Sequence, residues 1–275
     1  MSTFIGNTGL PFDPDSLRAR NSSIYDLRDL QIHLMGCGAI GSFTASTLAR
    51  MGVINFNIFD DDTVTSENIG VQDFTFHQLG MDKTKAVKQN IQSINPAANI
   101  SIKPWKVTEN TNSSDFNSVH DNAFFERYES RGRTPHYKHV FIMAVDSMES
   151  RMKIVQSSAF SSGCSLSLNA NRDSDKSSYL YDARMGSETF QLYRFPLPLV
   201  IKDYMSTWYS DEDGDSEPCS ARSTSYCSTL AGSMIASEIK KHESGGLGAE
   251  KIIFNFPSLL LDSDTDFSSL KKLVS

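Results

Sequence analysis

The stretch LQIHLMGCGAIG occupies residues 30–41 and gives the strongest indication of the fold. Its first six residues are mostly apolar, as in a strand that is buried on both faces of a parallel sheet. After the glycines, residues 42–51 carry apolar side chains at helical spacing up to Gly52, which predicts a helix ended by a glycine cap. Residues 54–59 form a second apolar run. Together these segments predict a βαβ unit of about 30 residues with a right-handed crossover.

The composition is typical of a soluble globular protein. The chain has 275 residues, 39% hydrophobic and 21% charged, with a net charge of −7. This charge argues against a general nucleic-acid or anionic-membrane surface. No apolar run approaches the roughly 20 residues of a membrane span, and no secretory signal is visible at the N-terminus. Four cysteines in a chain of this length do not make a disulfide scaffold, so a cytoplasmic location is expected.

Short apolar strands and amphipathic helices alternate along the rest of the chain. Further helices are predicted at residues 83–94 and 224–241, and further strands at 99–107, 140–145, 165–169, 178–184, 190–195 and 252–256. Residues 210–217 are too acidic to pack and predict a mobile loop. The alternation predicts an α/β fold with a Rossmann-like, mostly parallel sheet and helices on both faces.

The glycine turn is a candidate nucleotide site. Gly36, Gly38 and Gly41 allow a strand to turn tightly into a helix whose amide-rich N-terminus faces a phosphate group. Asp60 ends the second strand, where a carboxylate can bind ribose hydroxyls. These features alone fit a nicotinamide dehydrogenase equally well.

The residues that follow separate the two interpretations. They are DDDTVTSENIGVQ at 60–72, GMDK at 80–83, NP at 95–96, VDSMESR at 145–151 and DARMG at 182–186. In this order they resemble the ThiF/MoeB/HesA superfamily of ubiquitin-activating-type adenylyltransferases. The resemblance covers roughly residues 30–260. A nicotinamide dehydrogenase would not be expected to carry this set of motifs.

The resemblance implies adenylation of a carboxylate with ATP and Mg²⁺. The substrate would be the C-terminal tail of a ubiquitin-like or sulfur-carrier protein or peptide, and the enzyme a homodimer. It implies these site residues: Asp60 on the ribose, Asn68 at the phosphates, Gln72 shaping the site, Lys83 neutralising phosphate oxygens, and Asp146 on Mg²⁺. Lys85 is the alternative to Lys83, and Asp62 is either a site residue or a turn carboxylate.

The chain departs from the family pattern at Val71, where the family usually has arginine. A phosphate-stabilising arginine contributes about 10³–10⁵ in rate. Arg18, Arg20 or Arg184 could take its place, since family members often borrow an N-terminal arginine across a dimer. The alternative is a catalytically weak nucleotide-binding subunit of an activating complex.

The cysteines give three expectations. Family members often hold zinc through two C-x-x-C pairs; this chain has none, so zinc is not expected. Cys37 in the glycine turn and Cys227 in the last helix are expected to be packing residues. Cys219 follows the acidic loop and resembles the crossover-loop cysteine that accepts the activated carboxyl as a thioester. Arg222 and the helix N-terminus would lower its pKa, whereas Asp215 and Glu217 would raise it.

Five segments are therefore expected. They are an N-terminal arm at 1–29, the adenylation domain at 30–260, an insertion within it at about 109–138, a crossover loop at about 203–223 and a C-terminal tail at 261–275. The resemblance also implies that antiparallel strands extend the sheet at its C-terminal side.

Overall fold

A computed structural model describes residues 4–5, 11–116, 138–160, 178–186, 188–210, 223–246 and 248–264. The strands are β1 (Phe4–Ile5), β2 (Pro11–Phe12), β3 (Leu30–Met35), β4 (Asn55–Phe59), β5 (Asn99–Lys103), β6 (Lys138–Met143), β7 (Tyr179–Gly186), β8 (Thr189–Pro196), β9 (Lys251–Asn255) and β10 (Leu260–Ser263). The α-helices are α1 (Ala39–Arg50), α2 (Ser66–Ile69), α3 (Lys83–Ile94), α4 (Met148–Gln156), α5 (Ile201–Met205) and α6 (Ser225–Glu243).

Eight of these strands form one sheet in the order β10-β9-β8-β7-β6-β3-β4-β5. The five strands from β7 to β5 are parallel, so their carboxyl ends meet at one edge. Strands β8, β9 and β10 add to β7 in antiparallel fashion. The predicted Rossmann-like sheet and its antiparallel extension are therefore confirmed.

Helices cover both faces of the sheet, as predicted. Helices α1, α3 and α6 bury one face, with Leu48, Ile91 and Ile235 among the fully buried side chains. The other face is covered by α4 and α5, which contribute Ile154 and Tyr204. No helix within the described ranges is long and apolar enough to cross a membrane.

Several element boundaries differ from the prediction. Helix α1 begins at Ala39, three residues early, because the helix starts inside the glycine turn with Gly38 as its N-cap. Strand β5 ends at Lys103, since Pro104 has no amide hydrogen for the sheet. The short helices α2, α4 and α5 were missed, because a few turns carry too weak a periodic pattern. The strand expected at 165–169 and most of the acidic loop lie outside the described residues.

Both termini are more ordered than expected in the parts that the structure describes. The N-terminal arm contains β1, β2 and a 3₁₀ helix at Pro14–Leu17, and its Leu27 is fully buried in the core. Strand β10 pairs with β9, so the sheet continues past the domain boundary expected at residue 260. The sequence of β10 does not predict a strand, because its leucines do not alternate with polar residues, and in the structure these leucines are exposed.

A stacked histidine pair, in which His33 is buried and His139 is partly buried, lies on the α4 face of the sheet. His33 Nε2 is 2.8 Å from His139 Nδ1, and the two rings stack. Burial lowers the pKa of His139 to about 4. The pKa of His33 lies well below 6.5, mainly because of burial and secondly because of the charge of His139. Both histidines are therefore neutral in the folded protein near neutral pH.

This pair predicts acid sensitivity. Below about pH 6.5 the histidines of the unfolded chain bind protons that the folded histidines do not bind. The free energy of unfolding therefore decreases as the pH is lowered. We expect a loss of about 2 kcal/mol for each histidine between pH 7 and pH 5, measured by urea unfolding. His139→Gln should flatten this dependence, whereas His77→Gln, which removes an exposed histidine, should leave it unchanged. Equal slopes in all three proteins would contradict the assignment.

Candidate functional site

The glycine turn is fixed between the ends of three strands. Gly36 has a φ of +97°, and a Cβ there would lie 2.5 Å from the carbonyl oxygen of Ala144. Its N–H donates to the carbonyl of Phe59, at 2.9 Å. The turn therefore lies against the end of β4 and against the loop that follows β6. Among the described residues, a Cβ added to Gly38 would have no heavy atom within 4 Å beyond its chain neighbours, so this part of the chain leaves the start of α1 open to a ligand.

Two glycines of the turn should respond differently to substitution. A Cβ on Gly41 would lie 2.0 Å from the carbonyl oxygen of Gly36, whereas a Cβ on Gly38 meets no atom of the described chain within 4 Å. Gly41→Ala is therefore expected to cost about 1–3 kcal/mol of stability in thermal or urea unfolding. Gly38→Ala should leave stability within about 0.5 kcal/mol of the original protein, which makes it the matched control. Equal stabilities of the two variants would refute the close packing of the turn.

Asp60 is held against the turn by backbone donors. Its carboxylate accepts the N–H of Cys37 at 2.6 Å and that of Asp62 at 2.9 Å. Burial raises the pKa of Asp60, and the two N–H donors and the Lys83 charge oppose this rise. The position at the end of β4 is the one predicted for a ribose-binding carboxylate.

Lys83, and not Lys85, faces this edge of the sheet. Lys83 is buried, and its Nζ lies 2.9 Å from Asp62 Oδ2. The exposed Lys85 pairs instead with Asp82 on its own helix, at 2.7 Å. Burial, followed by the Asp60 charge, raises the pKa of Cys37 well above its usual value, and the charge of Lys83 opposes this rise. Lys83 is therefore close to the glycine turn, and Asp62 is its partner.

Asn68 and Gln72 lie on and after the short helix α2. Asn68 Oδ1 accepts the N–H of Thr65 at 3.0 Å, so this oxygen caps the helix. The Asn68 carbonyl accepts the N–H of Gln72 at 2.8 Å. Gln72 Oε1 is buried and has no hydrogen-bond partner among the described residues. An unpaired buried oxygen is costly, which fits a side chain that contacts a ligand.

Asp146 is exposed in the loop between β6 and α4, next to the Ala144 carbonyl that touches the turn. Its neighbourhood is acidic. Lys106 Nζ lies 3.3 Å from Asp61 Oδ1, and this contact raises the Lys106 pKa most, followed at longer range by the charges of Asp62 and Asp146. Three ligand oxygens, one each from Asp60, Asp61 and Asp62, lie within 4.8 Å of one another. Such hard oxygen donors suit Mg²⁺.

Sequence reasoning missed two residues of this group. In the sequence Asp61 stands out only as part of the DDD run, and no motif includes Lys106. The run itself was a usable signal for Asp61. Lys106 lies beyond β5, and only the pairing of β5 with β4 brings it to the same edge.

A buried ionic cluster lies beside the Asp146 loop. Asp182 on β7 accepts from Arg151 of α4 and from Arg184, whose Nε and Nη2 lie 2.8 and 2.6 Å from Asp182 Oδ2. Arg151 Nη2 also donates to the carbonyl of Val145, at 2.6 Å. Arg184 is thus fully engaged inside the protein and is not positioned to replace an arginine at Val71.

The other two candidate arginines are in the N-terminal arm. Arg18 is buried against Gly52 and pairs with Asp15. Gly52 follows the C-terminal end of α1, about 18 Å along the helix from the glycine turn, so Arg18 does not reach the site of its own chain. Arg20 is exposed.

The described cysteines agree with the expectation of packing. Cys37 and Cys227 are both buried and free, and burial raises the pKa of each thiol. Cys164 and Cys219 lie outside the described residues, so the proposed thioester cysteine stays a prediction.

Comparisons with known proteins give the family of the chain. The model of the ThiF family matches residues 16–168. "Ubiquitin-like modifier-activating enzyme 5" of Gallus gallus is 27% identical over 128 residues, which cover 46% of this chain and 30% of that protein. "ATP-dependent ubiquitin transferase-like protein Cap2" of Enterobacter hormaechei is 31% identical over 84 residues, 30% of this chain and 14% of that protein. The matches therefore span less than a third of these relatives.

Solved structures share the fold. The Microcin C7 biosynthetic enzyme MccB in complex with N-formylated MccA matches with a TM-score of 0.59 and 14% identity, over 92% of this chain and 69% of that chain. PaaA matches with a TM-score of 0.56 and 16% identity, over 87% and 64%. E. coli MccB has also been crystallised with ATP.

Proposed function

Since the chain belongs to the ThiF family, we propose that it binds ATP with Mg²⁺ at the carboxyl edge of β3, β4 and β6 and adenylates a carboxylate. The observation that carries the proposal is the placement of Asp60 and Lys83 at one open glycine turn. Asp60 would bind the ribose, the turn and the start of α1 the phosphates, and Lys83 a phosphate oxygen. Asn68 and Gln72 would line the same site.

The charges of the site call for a divalent cation. Asp60, Asp61, Asp62 and Asp146 outnumber Lys83 and Lys106, so an incoming triphosphate meets a net negative edge. Mg²⁺ is satisfied by one or two carboxylates together with phosphates and waters. Asp146 would hold it, and the clustered oxygens of Asp60, Asp61 and Asp62 offer further carboxylate ligands. When bound, Mg²⁺ would neutralise phosphate charge as pyrophosphate leaves.

The acceptor would be an extended C-terminal tail. ThiF-family relatives are named as activating enzymes of ubiquitin-like modifiers, and MccB has been crystallised with the peptide MccA. We propose the same class of substrate here, the C-terminal carboxylate of a ubiquitin-like or sulfur-carrier protein or of a peptide. Its oxygen attacks the α-phosphorus, so the chain forms an acyl adenylate and releases pyrophosphate. The Cys219 thiol would then attack the carbonyl carbon of the acyl adenylate, which forms a thioester and releases AMP.

One observation favours the alternative of a catalytically weak binding subunit. Val71 stands where the family usually has arginine, and Arg18 and Arg184 are both engaged elsewhere in the chain. A weak subunit would bind ATP but would not catalyse exchange without another protein.

ATP–pyrophosphate exchange with candidate carrier proteins and peptides tests the proposal. We expect exchange that depends on one class of C-terminal tail and disappears when the tail's carboxylate is amidated. Cys219→Ala should keep exchange and lose the thioester. ATP binding without exchange for every tail would favour the weak-subunit alternative.

A further inference from the structure

Asp182 connects two segments that are separate in sequence. On one side, Arg151 donates to Asp182 and to the carbonyl of Val145, in the loop that carries Asp146 (residues 144–147, the Asp146 loop). On the other side, Arg184 donates to Asp182 and to Thr207, whose carbonyl and Oγ1 lie 2.6 and 3.0 Å from its nitrogens. Thr207 belongs to the chain that leaves α5 (residues 206–210, the α5 exit).

The cluster is sealed from solvent. The side chain of Asp182 is 0% exposed and those of Arg151 and Arg184 are 4% and 3% exposed. Tyr204 of α5 adds a hydroxyl donor to Asp182 Oδ2, at 3.3 Å. Buried charges keep their geometry only when hydrogen bonds satisfy them, so movement of one guanidinium costs free energy at the shared carboxylate.

The charges do not balance. Two guanidinium groups share one carboxylate, and the described residues place no second carboxylate in contact with either. A single-site substitution of one arginine therefore leaves a balanced ion pair, whereas loss of Asp182 would leave two unpaired buried cations. This asymmetry makes the arginines the informative positions to change.

We propose that Asp182 is a positioning residue that fixes the Asp146 loop and the α5 exit relative to each other. Arg151 is its link to the loop and Arg184 its link to the exit. The meaning of the link for catalysis rests on the proposed function, because the loop carries Asp146, the proposed Mg²⁺ ligand, and the α5 exit leads along the sequence towards Cys219, the proposed thioester residue. The link itself is a property of the protein without any ligand.

Hydrogen exchange of the purified full chain without nucleotide tests the link. Arg151 makes no described hydrogen bond to the α5 exit, yet Arg151→Met is expected to speed exchange of the Thr207 and Trp208 amides about tenfold. Arg184→Met should likewise speed exchange of the Ala144 and Ser150 amides. Arg194→Met is the matched control, since Arg194 lies over Tyr179 and outside the cluster.

The outcomes separate a link from local packing. If each substitution speeds exchange only where its own side chain forms hydrogen bonds, the proposal is overturned. Thr207→Val removes the Oγ1 acceptor of Arg184 and the hydrogen bond that Oγ1 donates to the carbonyl of Tyr204, and it leaves the Thr207 carbonyl in place. It gives a milder second variant if an arginine variant fails to fold, and it too should speed hydrogen exchange in the Asp146 loop. Calorimetry of the unsubstituted protein with Mg²⁺–ATP is a separate measurement. If it shows no nucleotide binding, the proposed function is refuted, and the hydrogen-exchange result still decides whether the link exists.

Discussion

Replacing Asp146 by alanine is expected to lower ATP–pyrophosphate exchange by about 10²–10³, or roughly 3–4 kcal/mol of transition-state stabilisation. The physical reason is the charge of the site. Without Asp146, the carboxylate assigned to Mg²⁺ is missing while the triphosphate still meets Asp60, Asp61 and Asp62. Exchange is measured with a carrier or peptide that supports it in the unsubstituted protein.

A second readout does not require the acceptor. Calorimetry should show that the Mg²⁺-dependent part of the ATP affinity is lost in Asp146→Ala. Asp262→Ala is the matched control, because Asp262 is an exposed carboxylate on β10, the outermost strand of the sheet and four strands away from β6. Normal exchange in Asp146→Ala would refute the magnesium assignment.

Arg20→Ala is expected to lower exchange by about 10³, the lower bound for a phosphate-stabilising arginine. Of the three arginines considered as replacements for the one absent at Val71, only Arg20 is exposed. The neighbouring Arg18 packs at the far end of α1, so we propose that Arg20 acts at the site of a second copy in a homodimer. Arg50→Ala, an exposed arginine at the end of α1, is the matched control.

Mixing two inactive variants tests this shared site. A dimer of one Arg20→Ala chain and one Asp146→Ala chain contains one site with both residues intact, so mixing should restore a substantial fraction of the exchange activity. Full activity of Arg20→Ala alone would contradict the proposal. So would a mixture that stays inactive although size-exclusion chromatography shows that the chains exchange partners.

The βαβ unit was predictable because its signals are local. The apolar run of β3, the glycines and the spacing to Asp60 all lie within one continuous stretch, and the structure brings them together as expected. The motif favours Lys83 over Lys85 as the phosphate-binding lysine. In the structure Lys83 is buried and pairs with Asp62, and its role at the phosphates stays a prediction.

The remaining features depend on contacts between distant segments. Lys106 reaches the site only because β5 pairs with β4. The Asp182 cluster requires β6 beside β7 and α4 behind them, and no spacing in the sequence encodes that. Strand β10 was missed because it is an edge strand whose apolar residues stay exposed.

Titration calorimetry of the purified chain with ATP tests the central claim most directly. The account predicts saturable binding that requires Mg²⁺, is weakened by Lys83→Met, and is not reproduced by NAD. A chain that gives no heat with ATP and Mg²⁺, or that binds NAD in preference, would contradict it.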